Sequence, residues 1–138
     1  AANFLKRKKL HREISLLAAG KIRTPGEVLK VLALGADAVY MGSINLFVIS
    51  HLQVAKVLPF EPPTQLLWYG GKGEGKFKVN KGANNLCKFL QSCREELIEG
   101  VRGLGKTSIR EVNKEDLFAL DEFTAKGLGI PLCHEKSQ

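Results

Sequence analysis

What this sequence has little of narrows its function before any motif is read. Cysteine occurs three times in 138 residues, at Cys87, Cys93 and Cys133, in odd number and never as a C-x-x-C pair. That spacing argues against a zinc or iron–sulfur site and against a disulfide framework. With no secretory signal ahead of them, reduced thiols in a cytoplasmic protein are the expectation. Acidic residues are outnumbered, 14 against 21 Lys and Arg, so the formal net charge is +7. Such an excess favours anionic partners: nucleic acid, an acidic membrane surface or phosphorylated small molecules. Aromatic residues make up only 7% and show no interleaving with basic ones, which is poor material for a platform that stacks bases. Nucleic acid is therefore not the expected partner, although the charge and the segment "KTSIREVNKEDL" keep a basic nucleic-acid-binding module as the alternative. The one long stretch without Asp, Glu, Lys or Arg, from Ala38 to Ala55, contains Gly42, Ser43, Asn45, Ser50, His51 and Gln53. These would all cost energy in lipid, so no membrane span is expected.

What is present is an alternation of short apolar runs and helical patterns. The charged "LKRKKLHRE" reads as a helical end and "ISLLAAG" as a near-continuous apolar strand of the kind covered on both faces in parallel sheets. In "TPGEVLKVLALGA", Thr24 is an N-cap, Pro25 suits the first helical position, and Glu27 completes a capping box. Val28, Leu29, Val31, Leu32 and Leu34 supply the apolar face before Gly35 ends the helix. "ADAVYMGS" is a second strand, and Ser43 opens a helix running through "INLFVISHLQVAKVL" to Pro59. This βαβα order predicts parallel strands, Ile14 to Ala18 and Ala38 to Met41, joined by a right-handed helical crossover. Both glycine loops then follow the carboxyl ends of strands, where α/β folds bind ligands. Gly20 and Gly42 carry no Cβ to obstruct a phosphate, and the N–H groups of Lys21, Gly42 and Ser43 with the Ser43 hydroxyl can donate to it.

A competing phosphate motif must be weighed against this one. "GVRGLGKT", Gly100 to Thr107, matches G-x-x-x-x-G-K-[ST] letter for letter. The pattern needs a strand before it and a helix after it. Instead, Ala83, Leu86, Leu90, Cys93, Leu97, Val101 and Leu104 step by three or four, a helix that Asn80 can cap, so the motif reads as a helix end. "GGKGEGKF" places Phe77 where a Mg²⁺-binding hydroxyl is required, and "LFALD" lies too close to Thr107 for a crossover. His51 reads as a structural histidine among apolar neighbours, and Trp68-Tyr69 as packing residues.

The segment "GKIRTPGEVLKVLALGADAVYMGS", Gly20 to Ser43, resembles the phosphate-binding end of the FMN-binding glutamate synthase family. The resemblance continues through "EPPTQLLWY" and "LGKTSIREVNKEDLFALDEFTAKGLGIPL". It implies an α/β fold: the C-terminal two βα units of a TIM (β/α)8 barrel over residues 1–60, followed by a mainly helical tail over 61–138 that packs on the barrel. It also implies an oxidoreductase that forms glutamate from 2-oxoglutarate and glutamine or ammonia. By the same carry-over, Gly20, Lys21, Ile22, Gly42 and Ser43 hold the FMN phosphate, and no residue of this chain is assigned a catalytic role. The family's cysteine-rich cluster segment is replaced here by "LFVISHLQVAKVLPFEPP", so no iron–sulfur cluster is implied. The expected partners are FMN and either the remainder of the barrel or an oligomeric partner, and this chain alone is expected to lack a complete active site. A non-catalytic remnant that assembles with partners is a further alternative.

Overall fold

A computed structural model describes residues 1–53 and 75–134. The elements are helix α1 (Ala2–Arg7), strand β1 (Leu17–Ala19), helix α2 (Pro25–Ala33), strand β2 (Ala38–Tyr40), helix α3 (Ser43–Ser50), long helix α4 (Val79–Gly103) and helix α5 (Glu122–Leu128). Short 3-10 turns lie at Ile109–Glu111 and Lys114–Asp116. The chain divides into two compact units, residues 1–40 with 96–138, and residues 41–95, which are described separately.

In the first unit β1 and β2 pair in parallel, with Leu17 opposite Ala38, Ala18 opposite Val39 and Ala19 opposite Tyr40. Asp37 fixes this register at its start: its N–H donates to Leu16 O at 2.8 Å, and its carboxylate accepts from Leu16 N–H at 2.6 Å. The connecting α2 begins as its sequence dictates. Thr24 Oγ1 accepts from Glu27 N–H, the Glu27 carboxylate accepts from Thr24 N–H, and Pro25 occupies the first turn. Such an N-cap is worth about 1 kcal/mol. The helix stops in a Schellman arrangement, with Gly35 N–H on Leu32 O and Ala36 N–H on Val31 O. Gly35 sits at φ +101°, and a Cβ on it would come within 2.9 Å of Ala2 Cβ, so glycine is required both by the turn and by the close approach of α1. α2 packs on β2 and on the second 3-10 turn. Ala33, Val101 and Val112 form the core there, with Leu29 and Leu117 against it. A smaller cluster of Ala119, Ile130 and Leu132 closes the C-terminal part around a parallel bridge between Ala119 and Leu132.

The expected barrel is not what forms. Among the described residues the sheet has two strands and is open, whereas a closed barrel needs eight strands whose tilt and stagger bring the last back to the first. Two three-residue strands supply neither the number nor the length. The expectation that the strands are covered on both faces also fails: Leu17 is 49% and Tyr40 65% exposed. One helix covers one side of a two-stranded ribbon and leaves the rest open.

In the second unit α3 ends at Ser50, well before Pro59. Ser50 Oγ turns back to Leu46 O and Phe47 O, His51 leaves helical geometry, and Leu52 adopts φ +58°. Residues 54–59 lie outside the described residues, as do Trp68 and Tyr69. His51 is exposed at the helix end rather than buried, its carbonyl accepting from Asn85 Nδ2. The start of α4 is held to this turn by Lys78 N–H on Gln53 Oε1 and approaches α3 closely at Gly82, where a Cβ would lie 3.0 Å from Ile49 O.

Candidate functional site

The first loop follows β1. Gly20 takes φ +116°, a value that side chains disfavour, and Lys21 continues at φ +54°. Two left-handed residues in succession turn the chain sharply out of the strand. Ile22 is buried and anchors the return, and the Glu27 carboxylate accepts from Arg23 N–H at 2.7 Å. The hydrogen bonds from the Arg23 and Thr24 N–H groups hold the Glu27 carboxyl below its ordinary value. Lys21 itself is exposed. Among the described residues its ammonium makes no ion pair. The loop therefore combines a turn only glycine adopts easily, an apolar anchor and an uncommitted cation.

The second loop opens α3. Gly42 precedes the helix, and no side chain caps the helix N-terminus. No acidic residue stands in its first turn, so the N–H groups there and the positive end of the helix dipole are not neutralised locally. Among the described residues, a Cβ on Gly20 or Gly42 would meet nothing within 4 Å. Asn45, in the first turn of α3, was not singled out from sequence. Its Oδ1 is buried without a hydrogen-bond partner among the described residues, and with the amide turned over the Nδ2 hydrogens would be further donors. Phosphate chemistry uses N–H donors, hydroxyls and cations; the first loop carries a cation, and the second carries N–H donors and a hydroxyl. The loop residues do not line the cavity of about 490 Å³ in the first unit or the groove of about 400 Å³ in the second.

The rival motif is fully used by the fold. α4 precedes it where a strand is required. A Cβ on Gly100 would lie 2.5 Å from Leu29 Cδ1, so that glycine serves helix packing. Gly105, at φ +72°, and Lys106 spend their N–H groups on Arg102 O and Val101 O, closing α4 as a Schellman turn. The Lys106 ammonium donates to Glu111 O at 2.7 Å and pairs with Asp116. Thr107 N–H and Oγ1 both donate to the Glu111 carboxylate. Among the described residues, the turn at Gly105 and the Lys106 and Thr107 groups that a phosphate loop would use are thus committed within the fold. Asn80, expected as the cap of α4, lies within the helix, and of the expected stripe Ala83 and Leu90 are exposed while Cys93 and Val101 are buried.

Among the described residues no helix is long and apolar enough to cross a membrane, and no cluster of three His, Cys, Asp or Glu side chains is placed to hold a metal. Cys87 and Cys133 are exposed free thiols and Cys93 is buried.

The described residues thus form an α/β protein built on a parallel βαβ unit, with a glycine after each strand. Residues 1–107 match the description "Conserved region in glutamate synthase", and the chain belongs to that family. It is 27% identical over 144 residues to a glutamate synthase large subunit-like protein of Rhizobium meliloti (strain 1021), covering 90% of this chain and 32% of that one. It is 30% identical over 131 residues to an archaeal-type glutamate synthase (NADPH) of Thermotoga neapolitana, covering 91% of this chain and 26% of that one. A stretch of 39 residues is 51% identical to an archaeal glutamate synthase (NADPH) of Methanocaldococcus jannaschii, covering 28% of this chain and 8% of that one. The chain thus spans from a quarter to a third of the length of the first two. No solved structure matches it significantly.

Proposed function

We propose that this chain carries the phosphate-holding loops for FMN in an oxidoreductase of glutamate synthase type, which forms glutamate from 2-oxoglutarate and glutamine or ammonia with electrons from NADPH. The observation that carries this reading is the parallel β1–α2–β2 unit with a glycine after each strand, in a chain that belongs to the glutamate synthase family. Bound FMN would supply the two-electron redox chemistry. The chain's own residues hold the phosphate end. Gly20 and Gly42 let the backbone approach the phosphate, and Lys21, Gly42 and Ser43 donate N–H groups. The Ser43 hydroxyl and the Lys21 ammonium add charge-assisted bonds, and buried Ile22 holds the first loop in place.

The test exploits the open space at Gly42. Gly42 sits at φ −80°, and among the described residues nothing lies within 4 Å of its Cβ position, so Gly42→Val is placed where the backbone accepts a side chain. A change in flavin affinity then reports on the ligand rather than on the fold. Titration of FMN by quenching of flavin fluorescence should show at least tenfold weaker binding, about 1.4 kcal/mol, with an unchanged circular dichroism spectrum. Equal FMN affinity in wild type and Gly42→Val would move the phosphate elsewhere. Steeply salt-dependent retention on DNA with no flavin binding would replace the proposal by the nucleic-acid reading.

A further inference from the structure

The first unit contains a cavity of about 490 Å³, within the size range of small-ligand pockets, and the FMN loops do not line it. Five separate pieces of chain build it: α1, the turn after it, the approach to β1, the end of α2 and the 3-10 turn at Ile109–Glu111. One wall is fixed by the contact that needs Gly35, where α1 meets the end of α2 at Ala2. Leu5, Ile14 and Leu32 give it an apolar wall, with Ile14 partly open to solvent, whereas Lys6, His11 and Arg110 add basic groups to the lining. None of these three is in an ion pair among the described residues. The acid present, Asp37, already accepts from Leu16 N–H at 2.6 Å. One carboxylate against two cations and a histidine in the lining leaves a surplus of basic groups beside the apolar wall.

We infer that this cavity binds a small organic anion, a carboxylate or phosphate head on a hydrocarbon body, with the head on Arg110 and Lys6 and the body against Leu5, Ile14 and Leu32. Arg110 offers a planar fork suited to either oxyanion, and Lys6 adds a point charge. Desolvating the body against leucine and isoleucine supplies the driving force, and the cations select against neutral or cationic molecules of the same shape. The site is independent of the proposed flavin loops.

The experiment titrates the full chain with octanoate, octyl phosphate and 1-octanol, followed by calorimetry and by methyl chemical shifts of Ile14, Leu32 and Val112. At least one anion should bind saturably at one per chain, with 1-octanol at least tenfold weaker. Excess FMN should leave the octyl-anion isotherm unchanged. Arg110 and Lys6 are exposed, so a K6Q/R110Q double variant should fold normally and lose at least tenfold in anion affinity, whereas Lys126→Gln should lose nothing. Preference between the two anions identifies the head group. Absence of saturable binding by both anions, equal binding of 1-octanol, or an unaltered isotherm in the double variant would overturn the inference, as would displacement by FMN.

Discussion

Two glycine–lysine corners in the same unit behave in opposite ways. At Gly20-Lys21 both residues are left-handed, the lysine is exposed, and its ammonium has no ion-pair partner among the described residues. At Gly105-Lys106 both N–H groups close a helix, and the lysine side chain, 17% exposed, is committed to Asp116 and Glu111. The second corner carries the better sequence motif and the first the better chemistry. A phosphate loop is defined by donors left unspent, and that depends on the element before the glycine: a strand leaves its loop donors free, whereas an ending helix supplies orphan carbonyls that consume them.

The largest effect expected from breaking this contrast is at Lys106. Lys106→Met removes both of its bonds and leaves the Asp116 carboxylate, 13% exposed, with only the Asn113 N–H. Allowing for partial solvent access, about 1–2 kcal/mol should be lost, measured as the midpoint of urea unfolding. FMN affinity should not change. A variant as stable as wild type that lost a nucleotide-dependent activity would restore the phosphate reading of "GVRGLGKT".

A pH titration sharpens the same point. Hydrogen bonding by Lys106 and then Asn113 holds Asp116 below its ordinary 3.8, and the Thr107 N–H holds Glu111 below 4.5. Depressed folded-state values mean that the unfolded chain takes up protons first as pH falls. The stability these groups contribute is present above about pH 4.5 and is lost as pH drops through their lowered values. Thermal unfolding followed from pH 6 to pH 3 should show this acid limb, and Lys106→Met should flatten part of it. An identical acid limb in the variant would mean that Lys106 does not hold Asp116 ionised.

How far the sequence revealed these corners depended on the range of the interactions. The capping box of Thr24 and Glu27, the stop at Gly35 and the parallel order of β1 and β2 rest on residues within a few positions, or on an alternation of periods, and they form as read. The helical context of Gly100 was legible for the same reason. The Lys106–Asp116 pair spans ten residues with no periodic relation, and sequence offered no sign of it. The end of α3 was missed because the apolar run continues past Ser50, while the stop comes from its hydroxyl competing for backbone carbonyls. The barrel followed from likeness rather than from strand count. Strand exposure was misjudged because apolar sequence states what a strand can cover, not what stands opposite it. At the candidate site, the glycines, Lys21 and Ser43 were readable as chemistry, whereas the unpartnered Asn45 Oδ1 depends on packing that no local pattern encodes.

A smaller effect separates glycines required by backbone from those required by a ligand. Gly105→Ala places a Cβ at φ +72° and should cost about 1 kcal/mol. Gly42→Ala, at φ −80°, should stay within about 0.5 kcal/mol. Paired chemical unfolding curves decide the order, and a larger loss at Gly42 would mean that its helix start is more constrained than its dihedrals indicate.

The smallest change in stability is expected at Lys21, where two contributions oppose each other. Lysine at φ +54° bears left-handed strain, roughly 1 kcal/mol for a residue with a Cβ. Replacing it by glycine relieves that strain but adds freedom to the unfolded chain, which costs roughly 0.5–1 kcal/mol. Lys21→Gly should therefore leave stability within about 0.5 kcal/mol of wild type. The same substitution deletes the exposed cation, so FMN affinity should fall several-fold, in proportion to one lost charge-assisted contact at a solvated site. Stability and affinity thus part company at Lys21, while at Lys106 only stability moves. A Lys21→Gly chain that is destabilised by more than 1 kcal/mol, or that binds FMN as wild type does, would erase the distinction between the two corners: the first lysine would then be another structural residue, and the phosphate would have to be held by backbone N–H groups and the Ser43 hydroxyl.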